Sequence, residues 1–265
     1  MGELIFKYKR LFLGLALVIM MWQNVVMADT PQYPVLKNTT GKTIIERISY
    51  SDEWLSDFMI ISKTGTVIIV DSYYHRTSFD SIPPDIICVT HTQHREHYDL
   101  DLLVKYNSNK KVKKSIQKVE SFKVKDVNVT GIASAHGSDG KIDDQKPENV
   151  IYIFEVDGLR IADFGGTGQK ELTPDQLKTL GRIDIAFMEF VDYPELAMSL
   201  DSCLNIARQL NPQIIIPTHR TETTIPEVGK LLELPVETVE RLLVVNKDDL
   251  KEGEKKIIEL ANPLK

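Results

Sequence analysis

Thr90-His91-Thr92-Gln93-His94-Arg95-Glu96-His97-Tyr98-Asp99 holds three of the six histidines in this chain. The apolar run Ile86-Ile87-Cys88-Val89 directly before it reads as a buried strand. The histidines therefore leave a strand end and enter a loop. Imidazoles this close together can converge on one cation, and neutral imidazole is the commonest metal ligand. The plainer alternative is a solvated loop that happens to be rich in histidine; the density favours metal.

Two further histidines sit at strand ends. Ser121–Val124 and Val127–Ile132 read as paired strands leading to Ala133-Ser134-Ala135-His136, and Ile214-Ile215-Ile216-Pro217-Thr218 delivers His219. Thr43–Tyr50 is rich in β-branched residues and predicts a strand. Phe58–Ile61 and Val67–Val70, joined by Lys63-Thr64-Gly65, predict a hairpin closed by Asp71. Val150–Glu155, Asp157-Gly158 and Leu159–Phe164 predict a second. Gly165-Gly166-Thr167-Gly168 follows and fits neither the P-loop nor the dinucleotide pattern. Thr173-Pro174-Asp175-Gln176 starts a helix that ends at Gly181. Ile183–Phe187 predicts a buried strand and Leu196–Leu210 a helix with Leu200, Leu204 and Ala207 inward. Leu100–Val104 predicts a helix start, the charged stretch from there to Lys118 carries no firm period, and 137–149 is a polar loop. Pro226–Leu232 and Val236–Leu242 predict short helices, and the C-terminal stretch an edge strand.

The histidine segment resembles the His-x-His-x-Asp-His signature of the metallo-β-lactamase superfamily. His94-Arg95-Glu96-His97 matches its end with Glu for Asp, and Thr90-His91 its start with one extra residue. Strict spacing puts Thr92 in the first ligand slot; His91, carried by a bulge, is the better donor. Asp71 also matches the family, and Tyr98-Asp99 is similar to the ascorbate-6-phosphate lactonase-like branch. The resemblance covers roughly Thr43 to Arg220. It implies an α/β fold, a metallo-β-lactamase-like αββα sandwich of two mixed β-sheets flanked by helices. It implies one metal site on His91, His94 and His136 and another on Glu96, His97 and His219, with Zn, one or two ions, or another divalent metal such as Mn. His75 is left over as a surface or supporting residue. The family's bridging Asp falls at Gly166, a departure that weakens a two-ion centre; Asp163 and Glu189 are the nearby carboxylates. The implied chemistry is hydrolysis of a small ester, lactone or phosphoester through a metal-activated water, with Glu96 as ligand or catalytic base. The alternative is a degenerate, non-catalytic binding or scaffold protein with one metal or none.

Residues 1–28 resemble a signal peptide: Lys7, Lys9 and Arg10, an apolar run from Leu11 to Trp22, and Val26-Met27-Ala28 before Asp29. That predicts a periplasmic or secreted single domain over 29–265 with no stable membrane span after cleavage; an uncleaved anchor is the alternative. With 32 Lys+Arg against 38 Asp+Glu, net −6, the chain is a poor nucleic-acid binder; the resemblance implies a small-molecule substrate as the partner. The run Lys110–Lys114 reads as a solvated face, and Cys88 and Cys203 as two separate buried thiols.

Overall fold

A computed structural model describes residues 38–48, 57–71, 84–93, 98, 111–193, 198–219 and 224–261. All lie within the unit Val35–Lys265. His75, His94, Glu96, His97, the expected helix start at Leu100–Val104 and the signal segment 1–28 lie outside the described residues.

Two mixed sheets form the frame. The first contains β1 (Thr43–Arg47), β2 (Phe58–Ile61), β3 (Val67–Val70), β4 (Ile86–Val89), β5 (Lys113–Ile116) and β13 (Leu242–Val245), in the order β13-β1-β2-β3-β4-β5. The second contains β6 (Ser121–Val124), β7 (Val127–Ser134), β8 (Asn149–Val156), β9 (Leu159–Asp163), β10 (Ile185–Glu189), β11 (Ile214–Thr218), β12 (Val236–Val239) and β14 (Lys256–Leu260). Its order is β12-β14-β11-β10-β9-β8-β7-β6.

Strand alternation divides the apolar residues between two faces. Ile45, Phe58, Ile60, Ile68, Val70, Ile86 and Cys88 of the first sheet meet Val150, Tyr152, Phe154, Ile161, Phe187 and Ile216 of the second in one core. Ile44, Met59, Ile61, Ile69 and Ile87 are buried on the first sheet's other face. Strands covered on both faces are apolar at every position, which is why their sequences read as runs rather than as alternation. The outer face of the second sheet packs against α1 (Pro174–Leu180), α2 (Leu200–Leu210) and α3 (Thr224–Leu232) through Leu180, Leu204, Ala207 and Val228.

The local chemistry explains the element ends. Asp157 and Gly158, with φ of 54° and 81°, form the two-residue turn between β8 and β9. Thr173 caps α1 in a reciprocal capping box with Gln176, and Pro174 occupies the first turn. Ser199 caps α2 and Asn211 ends it in the left-handed conformation, so this helix begins four residues later than its apolar period implies. Val236–Leu242 is not a helix: Val236 to Val239 pair in parallel with Ile257 to Leu260, and Leu242 to Val245 pair with β1. The C-terminal strand β14 is not at an edge, because β12 covers it. The unassigned charged stretch holds β5, an edge strand parallel to β4. Cys88 and Cys203 are buried free thiols.

Candidate metal centre

The register brings polar residues from both sheets to one end of the sandwich. Phe58 pairs with Val70 and Val70 with Cys88, so Asp57, Asp71 and Thr90-His91 lie beyond one end of the first sheet. Ser134 pairs with Asn149, Tyr152 with Asp163 and Glu189 with Thr218, which places His136, Asp163 and His219 at one end of the second. Thr90 O accepts from Val150 N at 2.9 Å, joining the sheets at this end.

His91 is fully buried, and its ring meets that of His136 edge to face, 4.6 Å between centroids and 66° between planes. Thr90 fixes its orientation. The Asp71 carboxylate accepts from Thr90 N at 2.7 Å and from Thr90 Oγ1 at 2.6 Å, and Thr90 Oγ1 lies 3.0 Å from His91 Nδ1. With Asp71 ionised, that hydroxyl gives its proton to the carboxylate and accepts from Nδ1–H. The neutral tautomer this assigns carries its electron pair on Nε2, the form in which an imidazole binds a cation. Asp71 itself adopts a φ of 44°, left-handed without being glycine. Such backbone strain persists where the surroundings hold it, and it clusters at functional sites.

The glycine turn is a close-packing device. A Cβ at Gly165 would strike Thr90 Oγ1, and one at Gly168 the carbonyl of His136. One at Gly166 would fall 2.8 Å from both His136 Nε2 and His91 Cε1. Asn149 holds the turn from inside: its Nδ2 donates to Ser134 Oγ, Phe164 O and Thr167 Oγ1, and its Oδ1 accepts from Gly166 N at 3.1 Å. Gln176, the capping residue of α1, donates to Ala133 O, and Gln169 accepts from Ala135 N, which ties that helix to the strand presenting His136.

Beside the imidazoles is a buried acidic layer. Asp57, Asp71 and Asp163 are each no more than 2% exposed, and Glu189 is 7% exposed. Burial and then the neighbouring Asp163 raise Asp71 well above the ordinary carboxylate range, against the bonds from Thr90. Burial pushes Asp163 up to about 7; the Gly165 N–H opposes, Glu189 adds and His219 opposes. Asp163 Oδ1 accepts from Gly165 N at 2.9 Å, while Oδ2 has no hydrogen-bond partner among the described residues. His219 Nδ1 lies 3.0 Å from Glu189 Oε1. Burial alone would lower the His219 pKa; Glu189, with Asp57 and Asp163, outweighs it and raises it. His219 is also left-handed, φ 38°.

The structure thus brings His91 and His136 together and places His219 at the same end, against Glu189. Thr92 turns the other way, donating to Gln117 Oε1 at 2.7 Å. His94, Glu96 and His97 lie outside the described residues, and among the described residues no three His, Cys, Asp or Glu form a group able to hold a metal. Sequence reasoning matched Thr90 as the residue before His91 but missed its link to Asp71, and it missed Asn149, whose only signal is a polar residue at the end of an apolar strand. Among the described residues, the imidazoles of His91 and His136 meet and fit as part of a site for one cation. Among the described residues, Gly166 faces both imidazoles and supplies no carboxylate for a bridged pair.

The family described as Beta-lactamase superfamily domain matches residues 54–219. A candidate Zn-dependent hydrolase of the metallo-β-lactamase superfamily from Thermotoga maritima superposes with a TM-score of 0.56 at 21% identity, covering 82% of this chain and 98% of that one. A candidate metal-dependent hydrolase from Parabacteroides distasonis gives 0.55 at 22% identity, over 82% and 92%. A diiron β-hydroxylase from Streptomyces venezuelae gives 0.52 at 10% identity, over 83% of this chain and 53% of that one. At these identities the likeness is one of fold. No curated protein matches the chain.

Proposed function

The chain belongs to the beta-lactamase superfamily, and from that premise we propose that it is an exported metal-dependent hydrolase acting on a small ester, lactone or phosphoester. The observation that carries this reading is the edge-to-face meeting of His91 and His136 at 4.6 Å, with His91 oriented through Thr90 by Asp71. A bound Zn²⁺ would supply Lewis acidity and an activated water. His91 and His136 would hold it, and the Asp71–Thr90 relay keeps the His91 ring from turning. Asn149 keeps the glycine turn seated against both rings. From the resemblance, His94 and Glu96 extend the site and Glu96 serves as base.

The test compares His91→Ala with Thr92→Ala. Metal affinity should fall at least about tenfold in the first, as it does when ligands or their supports are lost, and stay unchanged in the second. Hydrolysis of nitrophenyl esters, lactones and phosphoesters should follow the metal. Equal affinity in wild type and His91→Ala would sink the site.

Gly166 favours a second reading, a non-catalytic binding protein with one metal or none. Metal retained with no turnover on any of the three substrate classes would select it. Export rests on residues 1–28: protein from its native compartment should begin near Asp29, and a full-length chain in the membrane fraction would count against cleavage.

A further inference from the structure

We propose that this centre is mononuclear: one divalent ion on the imidazole side, with no bridged partner. The inference rests on the hydrolase reading above and narrows its metal centre. Two divalent ions a few ångströms apart repel strongly in a partly dry pocket, and a shared carboxylate offsets that repulsion. Gly166 lies against both His91 and His136. Its φ lies outside the left-handed region, so glycine is not required there by backbone conformation. It is required by closeness, because even a methyl group would sit 2.8 Å from His136 Nε2 and His91 Cε1 and 2.9 Å from His136 Cδ2.

The His91 ring is not easily displaced to make room. His91 is fully buried and anchored at Nδ1 to Thr90, which is itself doubly bonded to Asp71. Of the carboxylates described at this end, Asp71 accepts from Thr90, Glu189 pairs with His219, and Asp163 accepts from Gly165 N through one oxygen, leaving Oδ2 as the open acceptor. Among the described residues, the group facing both imidazoles is thus the neutral backbone of Gly166, where a bridged second ion would need an anion.

Full-length protein is stripped of metal, loaded with excess Zn²⁺, freed of unbound ion and measured for metal per chain; a parallel sample is titrated with Mn²⁺ and followed by electron paramagnetic resonance. One equivalent of Zn²⁺ and the spectrum of an isolated Mn²⁺ are expected. Two equivalents with an exchange-coupled Mn²⁺ pair would overturn the single-ion inference and leave the hydrolase reading standing. No retained ion would overturn both. Gly166→Ala should weaken Zn²⁺ binding at least about tenfold by forcing the rings apart, as supporting changes around a metal do. Unchanged affinity in a folded variant would show that Gly166 does not set the approach of the rings, and would overturn the argument from closeness. If that variant does not fold, the wild-type stoichiometry still decides.

Discussion

Asp163 is a carboxylate kept where a neutral residue would be more stable. One oxygen is bonded to Gly165 N and the other is buried without a partner among the described residues. Its pKa is pushed from the ordinary 3.8 to about 7. The sign follows from linkage: a raised carboxylate pKa means that the folded state holds its proton more tightly than the unfolded chain. Stability is then fullest below pH 3.8, falls as the pH rises toward about 7, and is level above that. In the metal-free protein Asp163→Asn should remove this slope. It should be more stable than wild type at pH 8, by up to a few kcal/mol at about 1.4 kcal/mol per pKa unit, and nearly equal to it at pH 4. Urea unfolding at both pH values measures the difference. A difference that does not change with pH would show that Asp163 ionises in the fold as it does in the unfolded chain. The cost is the kind a site carries for chemistry rather than for folding.

At the scale of elements, the turn 165–168 depends on one side chain. Asn149→Ala would remove donors to Ser134, Phe164 and Thr167 and the acceptor for Gly166 N, all of them buried. Leaving buried polar groups unpaired costs roughly 1–3 kcal/mol each, partly shared here, so a loss of about 2–4 kcal/mol is expected in denaturant unfolding. The exposed Asn128, whose side chain bonds to the Glu155 side chain, should change stability by less than about 0.5 kcal/mol when replaced by Ala. Both hairpins were legible in the sequence because Gly65 and Asp157-Gly158 mark their own turns. His136 and His219 were legible as strand-end histidines for the same local reason. The contacts of Thr90 and Asn149 were not, since their partners are 19 and 15 or more residues away in the chain. Val236–Leu242 misled because its strand partners, Ile257 to Leu260 and β1, are distant in sequence, and tertiary pairing overrides a weak local preference.

On the scale of the whole molecule the two ends of the sandwich differ in kind. One end is the buried acidic layer with its histidines. At the other, turns of the two sheets are joined by carboxylates that remain near solvent. Asp157, in the β8–β9 turn, accepts from Thr43 Oγ1 and Lys63 N, each at 2.7 Å. Asp126, in the β6–β7 turn, accepts from Thr64 Oγ1 at 2.7 Å and from Thr66 Oγ1, both in the β2–β3 hairpin. Partial burial would raise the Asp126 pKa, but hydrogen bonds from Thr66, Thr64 and Ser62 outweigh it and hold the group below its ordinary 3.8. A depressed carboxylate pKa gives the opposite linkage to Asp163: the contribution is present above 3.8 and is lost as the pH falls through the lower folded value. Asp126→Asn should therefore cost stability at pH 7 and little at pH 2.5. Because Asp126 is largely exposed, solvent screening limits the loss to about 1 kcal/mol or less. Metal binding should be unaffected, since this turn is at the far end of the strands that carry His91 and His136. Thermal melts at pH 7 and pH 2.5, together with a Zn²⁺ titration at pH 7, test both statements. A fall in metal affinity without loss of fold would mean that the two ends are coupled through the core, and that the site is tensioned by how the sheets are fastened rather than only by the residues that line it.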